Sequence, residues 1–553
     1  MTTTIIHNAT VLTMDPDHPR AEAVAFRDGR IIAVGPVDAV AAAAGSDATR
    51  IDAGGRSLLP GFVESHLHLV LGGVELTQLQ LGGVHGLAGL TEAFTAYAAL
   101  NPAAPILIAQ GASYDILDHP VTRHDLDRVI PDRPIALMSP DHHTLWANTV
   151  ALQAAGLLHG AVMPHGHEVV MAKDGTATGE LREFEAFGPI LALGGDAHLQ
   201  LGIATGEEPD PAPDAATREA DKDRIAAGLA HCAAHGITSM VNMDGNRYTL
   251  DLLAELEAEG RLTARVQVPF HFKPHMDLSA LDRAEAMRRD FASDWLRSGH
   301  VKMFMDGVID SRTAFMLQDY PGCPGHRAEP LFPPDIFAQI CIEADRRGFQ
   351  IAVHAIGDGA VRATIDGYEA ARRANGPRDS RHRIEHIELI DRADIPRLGA
   401  LGITASVQPP HPPGAMDFPL DTMEAVIPRA RWPDAFLTRT LADHGAPLAF
   451  ASDWPVTDVS VMRGLQAHLM RVPFEGAADE RVSRMQALHA YTAGGAWAAH
   501  MEHLTGRIVP GLAADLVLID GDIGSIPADR LGETPIALTI AGGHITHRGA
   551  TFA

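Results

Sequence analysis

The sequence predicts an α/β fold: a (β/α)8 TIM barrel with a small composite β-sandwich domain drawn from both termini and a domain inserted after the first barrel strand. Three observations lead there. Eight β-rich strings recur along the chain with helical segments in the intervals, the texture of βα units around a parallel sheet. The two ends of the chain share a different texture, short β-rich runs broken by turns. The first and second strings stand much farther apart than one crossover helix requires, so a separate unit fills the interval.

The strings are Leu58–Leu69, Thr238–Met243, Arg265–Phe272, Val301–Asp306, Gln350–Ile356, Arg383–Leu389, Ile403–Gln408 and Leu448–Trp454. Eight suit a closed barrel, where reactive groups collect as strands end and loops begin; an open doubly wound sheet is the weaker alternative. Near the N-terminus, Thr4–Thr13, Ala23–Phe26, Asp28–Gly35 and Arg56–Leu59 read as antiparallel hairpins, and Ala514–Gly521 and Ala537–Thr546 have the same character. Residues 1–57 and 505–553 are thereby assigned to the β-sandwich and residues 58–71 and 222–504 to the barrel. Residues 72–221 form the inserted α/β domain, expected to contribute to the substrate pocket. Its end is marked by Gly206-Glu-Glu-Pro-Asp-Pro-Ala-Pro-Asp214, a proline-rich acidic linker, after which a helix resumes over Asp221–Ala234.

Of 553 residues, 46% are hydrophobic and 21% charged, ordinary globular usage that argues against disorder or a fibrous repeat. A formal net charge of −26, from 70 acidic against 44 basic residues, disfavours nucleic acid and anionic membranes as partners. Cys232, Cys323 and Cys341 are widely spaced and supply no disulfide framework, which fits a reducing cytoplasm. The first residues lack a basic start followed by an apolar signal core, and no apolar stretch is long enough to span a bilayer. The expectation is a soluble cytoplasmic homodimer with a small-molecule substrate and neither a membrane nor a nucleic-acid partner.

His66 and His68 are two residues apart on a predicted strand, so the period of two puts both side chains on one face. Neutral imidazoles bind borderline divalent cations such as zinc, and such a pair supplies half of a coordination shell. Other strings carry potential ligands near their ends: His354 after Gln350-Ile-Ala-Val353, His386 after Arg383-Ile-Glu385, and Asp453 after Leu448-Ala-Phe-Ala-Ser452. Singly, each also reads as a hydrogen-bonded core histidine or, for Asp453, a helix N-cap. Their shared placement at strand ends argues for one site.

As a set, Leu59-Pro-Gly-Phe-Val-Glu-Ser-His-Leu-His68, Val301-Lys-Met-Phe-Met-Asp-Gly307, Ser311-Arg-Thr-Ala314, Val353-His-Ala-Ile-Gly-Asp358, His382-Arg-Ile-Glu-His386, Ser406-Val-Gln-Pro409 and Ala451-Ser-Asp453 are a specific pattern. It resembles the amidohydrolase superfamily, in its branch of YtcJ-like and N-substituted formamide deformylase-like proteins, over nearly the whole chain. The resemblance implies His66 and His68 on one metal, His354 and His386 on a second or shared position, and Asp453 near the reactive water. It further implies that Lys302 is carboxylated and bridges metals. That modification needs a neutral amine, which burial beside cations favours; an ordinary buried Lys302 paired to Asp306 or Asp453 is the alternative. Zinc is the expected metal, one or two per chain, with manganese, iron and cobalt also suited to such ligands.

Substrate-facing candidates follow from the same resemblance. Asp141-His-His-Thr-Leu-Trp-Ala-Asn148 is similar to the branch's Asp-Gly-His string with a downstream Asn, which maps the equivalent imidazole onto His143. His143 is then an oxyanion donor or a structural histidine of the insertion. Arg312 is a clamp for a substrate carboxylate or carbonyl, or an internal ion pair, and Gln408 is a lesser candidate. Two departures stand out: Glu64 where the family usually has Asp, and Asp310 where the branch usually has Gly.

Together these implications describe a metal-dependent hydrolase that cleaves a non-peptide amide, N-acyl, N-formyl or cyclic amide carbon–nitrogen bond with metal-activated hydroxide. Asp453 serves as general base and then acid. Heterocycle deamination at a mononuclear site is the first alternative. Many such deaminases carry His-x-x-Glu after the fifth strand, whereas Ala355-Ile-Gly-Asp358 follows His354 here. Ester or lactone hydrolysis and a non-catalytic binding role are further alternatives.

Overall fold

Eight strands run in one parallel sheet in chain order: Phe62–Leu67 (β1), Ile237–Asn242 (β2), Arg265–His271 (β3), Leu296–Phe304 (β4), Gln350–Ala355 (β5), Arg383–His386 (β6), Thr404–Val407 (β7) and Leu448–Phe450 (β8). The computed structural model describes residues 3–140, 142–164, 166–416, 418, 420 and 426–552; Asp141 of the His143 string lies outside the described residues. Where β1 and β8 end, His68 N donates to Trp454 O at 2.7 Å and Asp453 N to His66 O at 2.9 Å, so the sheet nearly closes on itself. The predicted (β/α)8 barrel is therefore present.

Every residue of β1, β2, β3, β5, β6 and β7 is buried. A sheet covered on both faces gives near-continuous apolar runs, and the polar residues that interrupt these runs collect at the strand ends. Lys302 on β4 lies in register with His271 on β3 and Ala352 on β5. Outer helices follow the strands, as in Asp358–Asn375 after β5, which buries Val361, Ile365 and Tyr368 and stops at Gly376 with φ 83°. Its start packs against the loop after β4: a Cβ at Gly357 would stand 2.1 Å from Phe315 O, so only glycine permits that approach.

The string expected as Leu58–Leu69 divides in two. Ser57–Pro60 pairs antiparallel with Leu516–Ile519, and the barrel strand begins only at Phe62. Pro60 and Gly61 make the break, and the chain passes so close to β2 that a Cβ at Gly61 would meet Thr238 Oγ1 at 2.1 Å. Ser57–Pro60 belongs to a six-stranded sheet, ordered His544–Arg548, Ile536–Ala541, Leu516–Ile519, Ser57–Pro60, Thr10–Leu12, Arg20–Ala21. A four-stranded sheet of Arg30–Gly35, Ala23–Arg27, Thr3–His7 and Thr49–Asp52 accompanies it. Ile6, Val24, Phe26, Leu58, Leu516 and Leu538 share one core, which makes the two termini a composite β domain.

Val70–Thr217 forms a second compact unit. The following helix begins at Ala215 rather than Asp221, so the boundary falls a few residues before the expected one. This unit has a six-stranded mixed sheet in the order Glu168–Met171, Ala177–Arg182, Thr144–Ala147, Ile135–Met138, Leu107–Gln110, Leu79–Gln80. Two apolar clusters pack on it, one around Ile108, Leu145 and Phe187, the other around Leu90, Leu137 and Trp146. Among the described residues no helix is long and apolar enough to cross a membrane.

Candidate metal centre

His66 lies on β1 and His68 just past it, with ring centroids 5.5 Å apart. Each ring is held at Nδ1 by a buried carboxylate. Glu385 Oε2 lies 2.8 Å from His66 Nδ1, and Asp244 Oδ1 lies 2.5 Å from His68 Nδ1. A carboxylate at Nδ1 retains the proton there and turns the Nε2 lone pair outward, the usual arrangement of a ligating histidine. Both lone pairs face Asp453 Oδ1, at 3.1 Å from His66 Nε2 and 3.2 Å from His68 Nε2. That oxygen is buried and makes no well-directed hydrogen bond.

Acceptors brought this close repel one another unless the rings are protonated or a cation lies among them. The surrounding charge has the same sense. Three carboxylates, Asp244, Glu385 and Asp453, are buried here, and among the described residues the guanidinium hydrogen-bonded to one of them is Arg383, whose Nε donates to Glu385 at 2.9 Å. The donor atoms of His66, His68 and Asp453 lie within 4.8 Å of one another. Two imidazoles and a carboxylate fit a borderline divalent cation.

The other expected ligands surround this group. His386, at the end of β6, has its ring centroid 5.0 Å from that of His66 and 4.5 Å from that of His354, and Gln408 Oε1 lies 2.9 Å from its Nδ1. His354 Nε2 lies 3.1 Å from Gly307 O, an atom to which it can only donate, so its Nδ1 carries the lone pair. Lys302 is fully buried, and its Nζ has no hydrogen-bond partner and sits 4.7 Å from the Phe304 ring centroid. The ion pair with Asp306 or Asp453 offered above as the alternative for Lys302 is therefore not formed. Asp306 instead accepts from the amides of Phe315, Ile356 and Gly357.

Burial lowers the Lys302 amine to about 8, against the pull of Glu385 and Asp453. For Asp453 burial acts upward, but the surrounding imidazoles, His66 foremost, hold it well below the usual carboxylate range. Glu64, the residue standing in place of Asp, is pushed by burial up to about 8, tempered by the Ser452 and His66 amides that donate to its Oε1. It links β1 to the turn carrying Asp453. The backbone of the site is strained as well: His386, Ile387 and Asp453 have φ of 77°, 51° and 61°. Such left-handed conformations cost on the order of 1–3 kcal/mol each and persist where packing over-determines them.

Arg312 is exposed, with φ 60°, and donates from Nη1 to Cys323 Sγ at 3.3 Å; no internal ion pair of it is found among the described residues. Asp310 is exposed. Within the inserted unit His143 Nδ1 lies 2.9 Å from Glu183 Oε2, and the neighbouring His142 Nε2 lies 2.7 Å from Glu75 Oε1. Asn148 is structural: its Oδ1 accepts from Ala151 N and Ile135 N while its Nδ2 donates to Ile130 O and Arg133 O.

Sequence reasoning passed over Asp244, Glu385 and His411. Asp244 and Glu385 orient the histidines, and the second was legible as the residue before His386. His411 lies in Gln408-Pro-Pro-His411 after β7, buried beside Asp453, and with His386 and Asp453 it forms a second group of convergent donors.

The model of the Amidohydrolase family matches residues 49–547. Putative amidohydrolase YtcJ of Bacillus subtilis is 28% identical over 98% of this chain and 99% of its own. N-substituted formamide deformylase of Arthrobacter pascens is 26% identical over 98% of this chain and 97% of its own. The crystal structure of an uncharacterized metal-dependent hydrolase from Pyrococcus furiosus superposes with a TM-score of 0.71 at 25% identity, covering 93% of this chain and 98% of that one.

Proposed function

We propose that this chain, which belongs to the amidohydrolase family, is a metal-dependent hydrolase whose substrate is a linear N-acyl or N-formyl compound or a cyclic amide. The carbon–nitrogen bond cleaved is not a peptide bond. One observation carries the reading: two buried imidazoles, each fixed at Nδ1 by a carboxylate, direct their Nε2 atoms at the undirected oxygen of Asp453. The full-length likeness to a formamide deformylase supports the N-acyl class.

His66, His68 and Asp453 would hold one cation, zinc being the expected one, with His354, His386 and Lys302 adjoining. A divalent cation in such a shell supplies Lewis acidity, polarising a carbonyl and making hydroxide available near neutral pH. The chain's own groups do the rest. Glu385 and Asp244 keep His66 and His68 in the tautomer that leaves Nε2 bare. Asp453, with lone pairs to spare on each oxygen, takes the proton of the attacking water and returns it to the leaving nitrogen. The Lys302 amine, lowered by burial to about 8 and with no hydrogen bond to lose, has a neutral fraction able to add to carbon dioxide with release of a proton, and the resulting carbamate would offer two further oxygens.

A release assay over N-formyl, N-acyl, cyclic imide and aminoheterocycle panels tests the reading on metal-reconstituted protein. Amine with formate or another carboxylate is expected. Ammonia from heterocycles without any amide cleavage would replace it by deamination.

A further inference from the structure

His411 stands between two carboxylates: its Nε2 faces Asp453 Oδ2 at 3.9 Å and its Nδ1 faces Glu388 Oε1 at 3.5 Å. One imidazole ring thus separates Glu388 from the candidate metal centre, and that ring lies parallel to the ring of His386, 7° between planes with centroids 5.8 Å apart. The Glu388 side chain is only 15% exposed. Among the described residues nothing donates a hydrogen bond to its carboxylate, and no lysine or arginine lies within ion-pair distance of it. The His411 contact is longer than a well-formed hydrogen bond, and an imidazole carries charge only when protonated. A carboxylate so far withdrawn from water is costly unless a cation meets it. Its main chain is held by Phe436, whose N donates to Glu388 O at 2.8 Å.

From these surroundings we propose that Glu388 selects substrates that carry a protonated amine a few bonds from the scissile amide. The space beside it has the matching size. Glu388, Gln408, His411, Phe436 and Thr438, together with His386, line a cavity of about 10 Å³, which is room for one water-sized group. An ammonium head is of that size, whereas a carboxylate or a guanidinium is larger. The Glu388 carboxylate, the Thr438 hydroxyl and the lone pair of Gln408 Oε1 not turned to His386 Nδ1 give three acceptors for its three hydrogens. His386 belongs to both this cavity and the candidate centre, so a chain with its acyl carbon at Asp453 reaches Glu388 with its far end. The same carboxylate repels a substrate carboxylate, which disfavours N-acyl amino acids.

The inference rests on the amide-cleaving reading of the site, and the two fail separately. Metal-reconstituted protein is assayed with N-aminobutyl formamide, with its pentyl analogue, in which methyl replaces the ammonium, and with its carboxypropyl analogue. In the parent protein kcat/KM is expected to favour the ammonium compound over the pentyl one by about tenfold or more, the worth of one charge-assisted hydrogen bond. The difference should lie in KM, and the carboxylate should come last. Glu388→Gln should bring the ammonium-to-pentyl ratio toward one, and Glu388→Lys should put the carboxylate ahead of the ammonium. Should Glu388→Gln not fold by far-UV circular dichroism, Glu388→Asp, which keeps the charge but withdraws it by a methylene, should lower the same ratio. Equal values for the ammonium and pentyl compounds in the parent, or an ammonium preference that survives in Glu388→Gln, would overturn the inference and leave the hydrolase reading intact. Cleavage of none of the three counts against the amide reading, and calorimetry with pentylammonium against pentanol then decides for Glu388 alone. Tighter ammonium binding in the parent, lost in Glu388→Gln, supports the inference; equal binding of the two overturns it.

Discussion

Glu385 Oε2 lies 2.8 Å from His66 Nδ1, and the same carboxylate accepts from Arg383 Nε at 2.9 Å and Nη2 at 3.1 Å, all three side chains being buried. Glu385 thus couples the candidate metal centre to the barrel interior. Replacing Glu385 by Gln leaves the Arg383 charge uncompensated, a loss of about 3–5 kcal/mol for a broken buried pair. Removing the orienting partner also weakens metal binding by roughly 10–100-fold. Chemical denaturation and a metal titration on the same variant read the two effects. Parent-like values in both would show that His66 does not depend on Glu385.

Asp453→Asn keeps the shape of the side chain but removes its capacity to take a proton. Loss of a general acid–base group costs about 10²–10⁴-fold in kcat, and the expected signature is this loss with KM little changed. Steady-state kinetics with matched metal content check it.

In the metal-free protein the His68 imidazole holds its proton to higher pH than a free one. Burial acts to lower His68, but the charge and hydrogen bond of Asp244, together with Asp453, raise it to about 9. A group raised on folding stabilises fully below its ordinary value of about 6.5, and that contribution is lost as pH rises through about 9. The stability of the metal-free protein should therefore fall across this window, and cation affinity should climb across it because the ligand must shed its proton. Melting curves of chelated protein and metal titrations from pH 6 to 9 measure both slopes. A rising stability in the absence of metal would contradict the assignment.

Lys302→Ala should lose metal and activity together and regain part of both when short carboxylic acids are added. In the parent protein, bicarbonate during reloading should raise metal occupancy. A variant with unchanged metal content and rate would remove Lys302 from the site.

How far the sequence alone reached follows from which interactions are local. A strand's period of two and its apolar neighbours are local, so the positions of His66, His68, His354, His386 and Asp453 at strand ends are legible in the amino-acid order itself. The break at Pro60-Gly61 was also local, but the apolar residues on both sides of it outweighed the turn signal and merged two strands into one. His411 was out of reach. An isolated histidine in a proline-rich loop looks like any surface residue, and its burial against Asp453 exists only because barrel closure brings the loop after β7 beside the turn after β8. Asp244 is likewise defined by its partner His68, 176 positions away.

The most direct measurement is cation content against rate of amide cleavage, on one protein preparation titrated with zinc or manganese after chelation. Stoichiometric metal is predicted, with release of amine from an N-formyl or N-acyl substrate in proportion to it, and loss of both in His66→Asn and His68→Asn. No bound metal, or cleavage indifferent to it, would contradict a metal-dependent hydrolase.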